Sequence, residues 1–296
     1  MQLHVAGGVA DLLLDGRVDT GAAVTSTGAL TPADAAVFET FVVPRYMAYF
    51  GELALELLLA GEGSRIAHLG CRTGYPDKKL VELAPSSTLT GVDESRAAIE
   101  LARNKVAAAG DEGMEYLEAP RYPTALASES FSHAITLHPV ASAAARVELF
   151  QEMHRLLYAG GQALVALPLR GSFQEVLDLL REYALKFDEG DLGRVVEEAM
   201  AGRHTIETLS EELEGVGLDD IDVEVRHTTL TFDSGRAFVE DPVTRLLVLP
   251  DVQTSMPKTD LSAPFDYVRD AVDKYWSEGK FELTLNVGCA SARRVG

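Results

Sequence analysis

Between residues 65 and 169 the hydrophobic pattern switches repeatedly between two periods. The short apolar runs RIAHLG (65–70), STLTGVD (87–93), MEYLEA (114–119), SHAITLH (132–138) and GGQALVALPL (160–169) read as buried strands. Between them DKKLVELA (77–84), ESRAAIELARNKVAAAG (94–110) and ARVELFQEMHRLL (145–157) carry helical spacing, the second closed by Gly110. Strands alternating with helices of this length predict a parallel sheet with helices on both faces. Before this block, Thr31-Pro32 marks a helix start, and PRYMAYFGELALELLLA (44–60) puts Met47, Phe50, Leu53, Ala54, Leu57 and Leu58 on one helical face. After it come three helical stretches (172–187, 192–202 and 205–217) and a long period-two strand over 220–232. A mostly helical segment, about 235–279, then leads into a last strand over 280–294. A long strand, an insertion and another long strand predict an antiparallel pair at the sheet edge, interrupted by a cap.

The expected organisation is an irregular extension over 1–30 followed by one domain over 31–296. Its parts are lid helices (31–62), a cofactor-site half (63–170), helices and the sixth strand (171–232), a helical cap insertion (233–279) and the last strand (280–296). With 47% hydrophobic and 24% charged residues the chain can bury a substantial core. The formal charge of −20 argues against nucleic acid or anionic membrane as partner, because no basic patch offsets it. Only Cys71 and Cys289 are present, too few for a disulfide framework, and the N-terminus around Asp11 and Asp15 lacks a basic start. Together these predict a cytoplasmic protein. No His, Cys or acid spacing suggests a metal.

In an open parallel sheet, ligands bind beyond the carboxyl ends of the strands where strand order reverses. The turn HLGCRTGY (68–75) after the first strand, and Asp93 at the end of the second, are placed there. A carboxylate at Asp93 suits the two hydroxyls of a ribose, with capping of the following helix as the alternative use. Taken together, Ile66–Gly74, GVDESRAAIELAR (91–103), ESFSHAITLHPV (129–140), FQEMHRLLYAGGQALVALP (150–168), FVVPRYMAYF (41–50) and LSEELEGVGLDDIDVE (209–224) resemble the class I S-adenosylmethionine-dependent methyltransferases of the small-molecule type. The resemblance implies a doubly wound, Rossmann-like α/β fold with a seven-stranded, mostly parallel sheet and its last strand antiparallel. It also implies a cofactor site at His68, Gly70, Cys71, Arg72, Gly74, Asp93 and Glu94. Where the family often has an acid for the adenine amine, this chain aligns Pro120, with Glu118 two residues away. On the lid and cap, Arg45, Tyr46, Tyr49, Tyr275 and Trp276 are the candidates to face a substrate, and His138 is the candidate general base.

The departures from the family pattern set the functional expectation. His68 stands where the family has an acid, and Arg72 stands where it has the middle glycine of Gly-x-Gly-x-Gly. The cofactor carries a sulfonium and an ammonium. Each uncompensated like-charge contact near 4 Å costs about 1–4 kcal/mol at effective dielectrics of 80 to 20. The expectation is therefore weak or lost S-adenosylmethionine binding and a binding or regulatory role toward a protein or small molecule. The alternative is an active small-molecule methyltransferase with an atypical pocket. A third use of the turn, Arg72 with backbone N–H groups holding an anion, is also consistent with the residues.

Overall fold

The structure is a computed structural model that describes residues 29–296, so the expected extension over 1–30 lies, apart from Ala29 and Leu30, outside the described residues. Its strands are β1 (Arg65–Leu69), β2 (Thr88–Asp93), β3 (Met114–Glu118), β4 (Phe131–Leu137), β5 (Leu157–Pro168), β6 (Leu218–Phe232) and β7 (Phe281–Arg294). They form one sheet in the order β3-β2-β1-β4-β5-β7-β6. The pairs from β3 through β5 are parallel, whereas β7 runs antiparallel to both β5 and β6. This is the predicted seven-stranded arrangement, with the long edge pair where the two C-terminal strand patterns place it. All seven residues of β4 are buried, the polar Ser132, His133 and Thr136 included, as expected of a central strand covered on both faces. On β6, at the edge, exposed and less exposed positions alternate through much of the strand.

Helices cover both faces. One face packs Ile66, Leu80, Ile99 and Ile135 beneath the N-terminal helices, helix Gln174–Lys186 and the cap. The other face packs Leu69, Val165 and Ala290 against helices Ala143–Leu156 and Ile206–Glu214. The cap between β6 and β7 consists of helix Gly235–Glu240, a π-helical turn Thr244–Val248, helix Leu249–Ser255 and helix Ser262–Tyr275.

The N-terminal helical region differs in detail from the pattern reading. Thr31 does cap it, accepting from the Asp34 N–H, but the helix does not restart at Pro44. It runs on from Pro32–Val37 through a π-helical segment, Phe38–Met47, into helix Ala48–Leu57. Pro44 lies inside the π segment, where a residue without an N–H disturbs the ladder less than it would in a regular α-helix. The apolar face is used as expected: Met47, Phe50, Leu53 and Ala54 are buried. Among the described residues no helix is long and apolar enough to cross a membrane.

Candidate functional site

Strand order reverses between β1 and β4, so the crevice beyond their carboxyl ends is bordered by the glycine turn on one side and His138 on the other. The turn is tied down by the strand beside it. The N–H groups of Gly70 and Cys71 both donate to the Val92 carbonyl, at 2.8 and 3.0 Å. The Arg72 N–H donates to Asp93 Oδ2 at 3.0 Å, while Asp93 Oδ1 accepts from the Ser95 N–H at 2.8 Å. Asp93 is only 4% exposed and its carboxylate is turned back onto its own loop. The cap of the next helix falls to Ser95, whose hydroxyl accepts from the Ala98 N–H.

Arg72 takes a left-handed backbone, with φ of 49°. A non-glycine residue there costs about 1 kcal/mol or more, so neighbouring contacts hold the turn in a shape the side chain disfavours. Gly74, at φ of 80°, meets a second requirement: a Cβ there would lie 2.6 Å from the Tyr116 hydroxyl.

Under the turn, His68 does not point at an ammonium-binding space. Its Nδ1 lies 2.6 Å from Asp77 Oδ1, and the Tyr116 hydroxyl donates to Asp77 Oδ2 at 2.9 Å. All three side chains are buried. The Asp77 carboxylate thus sits at the first position of helix Asp77–Glu82 and holds the His68 ring with Nδ1 as donor. His68 Nε2 and Thr73 Oγ1, both buried at the turn, have no hydrogen-bond partner. Burial, then the charges of Asp93 and Asp77, pushes the Cys71 thiol well above its ordinary pKa, which keeps it from acting as a thiolate.

On the far side of the crevice, His138 is fully enclosed. Its ring stacks on Phe50 at 5.3 Å and lies 5.5 Å from Tyr46. Nε2 is 3.4 Å from Asp251 of the cap, and Asp251 also pairs with Arg203. Arg203 in turn lies over the Phe173 ring at 4.9 Å. Burial lowers the His138 pKa more than Asp251 restores it, so the ring is held neutral. Burial pushes the Asp251 carboxyl up, but Arg203 and His138 more than offset it and keep it well below the usual carboxylate range. The Tyr46 hydroxyl and His138 Nδ1 are buried without partners. The charge of Arg72, which lines the space at the turn, acts to lower the pKa of both Cys71 and His138.

The remaining candidates disperse. Glu94 is half-buried and Glu118 exposed at the sheet edge. Arg45 turns outward to Asp241 and the Thr231 carbonyl, over the Phe232 ring. Tyr49 is half-buried on the lid. The Tyr275 hydroxyl donates to Glu182, and Trp276 packs on Phe281, both among the helices of the cap side. The structure adds Tyr116, Asp251 and Arg203, which the sequence pattern does not single out, Asp77 as the partner of His68, and Tyr122. Tyr122 is half-buried, and burial followed by the charge of Asp93 raises its pKa. Among the described residues no group of three or more His, Cys, Asp or Glu is placed to hold a metal.

What space remains at the turn is small. The cavity lined by Phe38, Met47, His68, Arg72, Thr73 and Tyr75 amounts to about 10 Å³. That holds roughly one water, whereas small-molecule pockets start at about 300 Å³. The lid closes it from above: the Tyr75 ring lies against Gly51, and Lys105 bridges Glu39 of the lid to the Thr73 carbonyl at 2.6 and 3.0 Å. In this arrangement the residues at the turn do not fit S-adenosylmethionine.

Residues 67–165 match the family model described as a methyltransferase domain. Comparison with curated proteins gives no match. Among solved structures, the YcgJ protein of Bacillus subtilis has a TM-score of 0.55 at 11% identity, covering 84% of this chain and 100% of that one. Phosphoethanolamine N-methyltransferase 2 of Haemonchus contortus, solved with S-adenosyl-L-methionine, has a TM-score of 0.55 at 15% identity, covering 90% and 58%. A chain from the Haloferax volcanii complex between the Trm112 methyltransferase activator and a methyltransferase has a TM-score of 0.50 at 16% identity, covering 90% and 94%. At these identities the likeness establishes the fold.

Proposed function

Through residues 67–165 the chain belongs to the methyltransferase-domain family, and on that premise we propose that it has lost ordinary S-adenosylmethionine-dependent catalysis and acts by binding, as a regulatory or scaffolding protein. The observation that carries this reading is the cavity of about 10 Å³ at the glycine turn, with Arg72 in its wall. A cationic cofactor entering there meets a guanidinium and loses the acid that His68 replaces. One like-charge contact at about 1–4 kcal/mol corresponds to roughly one to three decades of affinity, before any loss from the missing acid. Asp93, the remaining family acid, already accepts two backbone N–H groups of its own loop. A protein partner is supported by the Haloferax neighbour, which is solved in a complex with an activator protein. Two buried, unpaired cysteines support a reducing compartment.

Calorimetry and thermal shift with S-adenosylmethionine and S-adenosylhomocysteine test the reading directly. The native protein is expected to bind neither tighter than millimolar and to show no shift in Tm. Arg72→Gly combined with His68→Asp removes the guanidinium, restores the acid and is expected to gain at least about tenfold in affinity. Micromolar binding by the native protein, or methyl transfer to any small-molecule acceptor, overturns the proposal.

A further inference from the structure

A second feature lies away from the crevice, on helices Gln174–Lys186 and Ser262–Tyr275. Tyr183 and Phe187 stand 4.6 Å apart, Tyr183 and Tyr267 5.5 Å, and Phe187 and Tyr267 6.1 Å, the last pair at 89°. Phe187 and Tyr267 therefore form two walls of a right-angled corner with Tyr183 behind it. The corner is on the surface: Phe187 is 52% exposed and the neighbouring Leu185 80%. The Lys186 ammonium already sits in it, 4.7 Å from the Tyr267 centroid and 5.4 Å from that of Phe187. Glu182 completes the arrangement by accepting from the Tyr267 and Tyr275 hydroxyls, which fixes one wall and leaves an anion beside the cation.

We propose that this corner is a binding site for a quaternary ammonium group, the trimethylammonium head carried by choline or by a fully methylated lysine, which takes the place of the Lys186 ammonium. Two orthogonal aromatic faces and a nearby carboxylate are the components that recognise such a cation. A primary ammonium is strongly hydrated and Lys186 is exposed, so its side chain returns to water at little cost. A trimethylammonium has no hydrogen bonds to give up, and its methyl groups cover apolar ring surface that this chain otherwise leaves to solvent. The overall charge of −20 raises the local concentration of any cation.

The test is a titration of the full chain with choline and with its neutral isostere, in which a tert-butyl group replaces the trimethylammonium, followed by NMR of the aromatic ring protons and by calorimetry. Saturable choline binding is expected, with the isostere weaker by about threefold or more. Lys186→Ala vacates the corner and is expected to tighten choline binding by about two- to fivefold. Phe187→Ala, at a position 52% exposed, is expected to abolish it with the far-ultraviolet circular dichroism unchanged. Equal binding of the isostere, no gain in Lys186→Ala, or undiminished binding in Phe187→Ala overturns the proposal. A trimethyllysine peptide binding more tightly than choline assigns the ligand to a protein tail, and the reverse order assigns it to a free small molecule. No saturation by either removes the site.

Discussion

Asp251 is the side chain through which the cap holds the sheet, because it meets both Arg203 and the ring of His138 at the end of β4. The Arg203 side chain is 8% exposed and that of Asp251 15%, so removing the carboxylate leaves a guanidinium with little water to replace it. Asp251→Asn is expected to destabilise the protein by about 3 kcal/mol, the lower end of the range for breaking a buried pair, read as a lower urea midpoint. His138 adds a pH dependence of definite sign. Its native pKa is depressed below that of an unfolded histidine, so the unfolded chain takes up a proton that the folded one resists. Stability is therefore intact above about pH 6.5 and falls as pH drops below it, by up to about 1.4 kcal/mol per pH unit per histidine. The groups facing the ring set this balance: Asp251 favours the charged form, while Arg203 and Arg72 oppose it, and Tyr46 and Phe50 exclude water. His133 and His154 are also lowered, chiefly by burial, and act in the same direction. Unfolding titrations between pH 7.5 and 5 are expected to show a shallower decline in His138→Gln than in the native protein; parallel curves would exclude the ring as a source.

At the scale of elements, the junction of β1, β2 and β3 depends on one missing side chain. Gly91 on β2 faces the ring of Tyr116 on β3 and the Cys71 sulfur after β1, and a Cβ there would come within 2.6 Å of Tyr116 Cδ1 and 2.9 Å of Cys71 Sγ. The ring cannot swing aside, because its hydroxyl is bonded to the buried Asp77. Gly91→Ala is expected to cost about 1–3 kcal/mol and to lower Tm, whereas Gly61→Ala, with open space around it, serves as the neutral control. These elements were legible in the sequence, since each strand and helix carries its own period and the β–α alternation leaves few topologies. The glycine turn, Asp93 and His138 were legible as positions because strand ends are readable. Their partners were not. Asp77 reads as an ordinary first-turn acid, Asp251 and Arg203 as solvated charges, and Tyr122 as a loop residue. Their roles arise from contacts across separations such as the 113 residues between His138 and Asp251, which no local period encodes. Pro44 reads as a helix start for a related reason: a π segment relaxes the constraint that proline imposes on a regular helix, and nothing in the local pattern marks that segment.

At the scale of the whole molecule, the charge of −20 sets long-range repulsion against many short-range attractions. Among the described residues many ion pairs are exposed contacts such as Arg96–Glu100 and Arg194–Glu198, with heavy-atom distances of 2.8 and 2.6 Å. Exposed pairs of this kind add little net stability, because water screens them and holding two long side chains costs entropy. Salt weakens repulsion and attraction unequally. The Debye length falls from about 30 Å at 0.01 M to about 8 Å at 0.15 M, which removes repulsion between distant acids while contacts near 3 Å keep much of their attraction. Self-repulsion outweighs the surface pairs in a chain with 46 acids and 26 bases, so added salt is expected to stabilise it. Raising sodium chloride from 0.01 to 0.15 M should increase Tm by a few degrees, about what 1 kcal/mol gives for a protein of this size. A fall in Tm over the same range would mean that the surface pairs outweigh the net charge. The choline titration separates from this background effect, because sodium screens without occupying the Phe187–Tyr267 corner: at fixed ionic strength, only a ligand held by the rings should shift the NMR signals of those two residues.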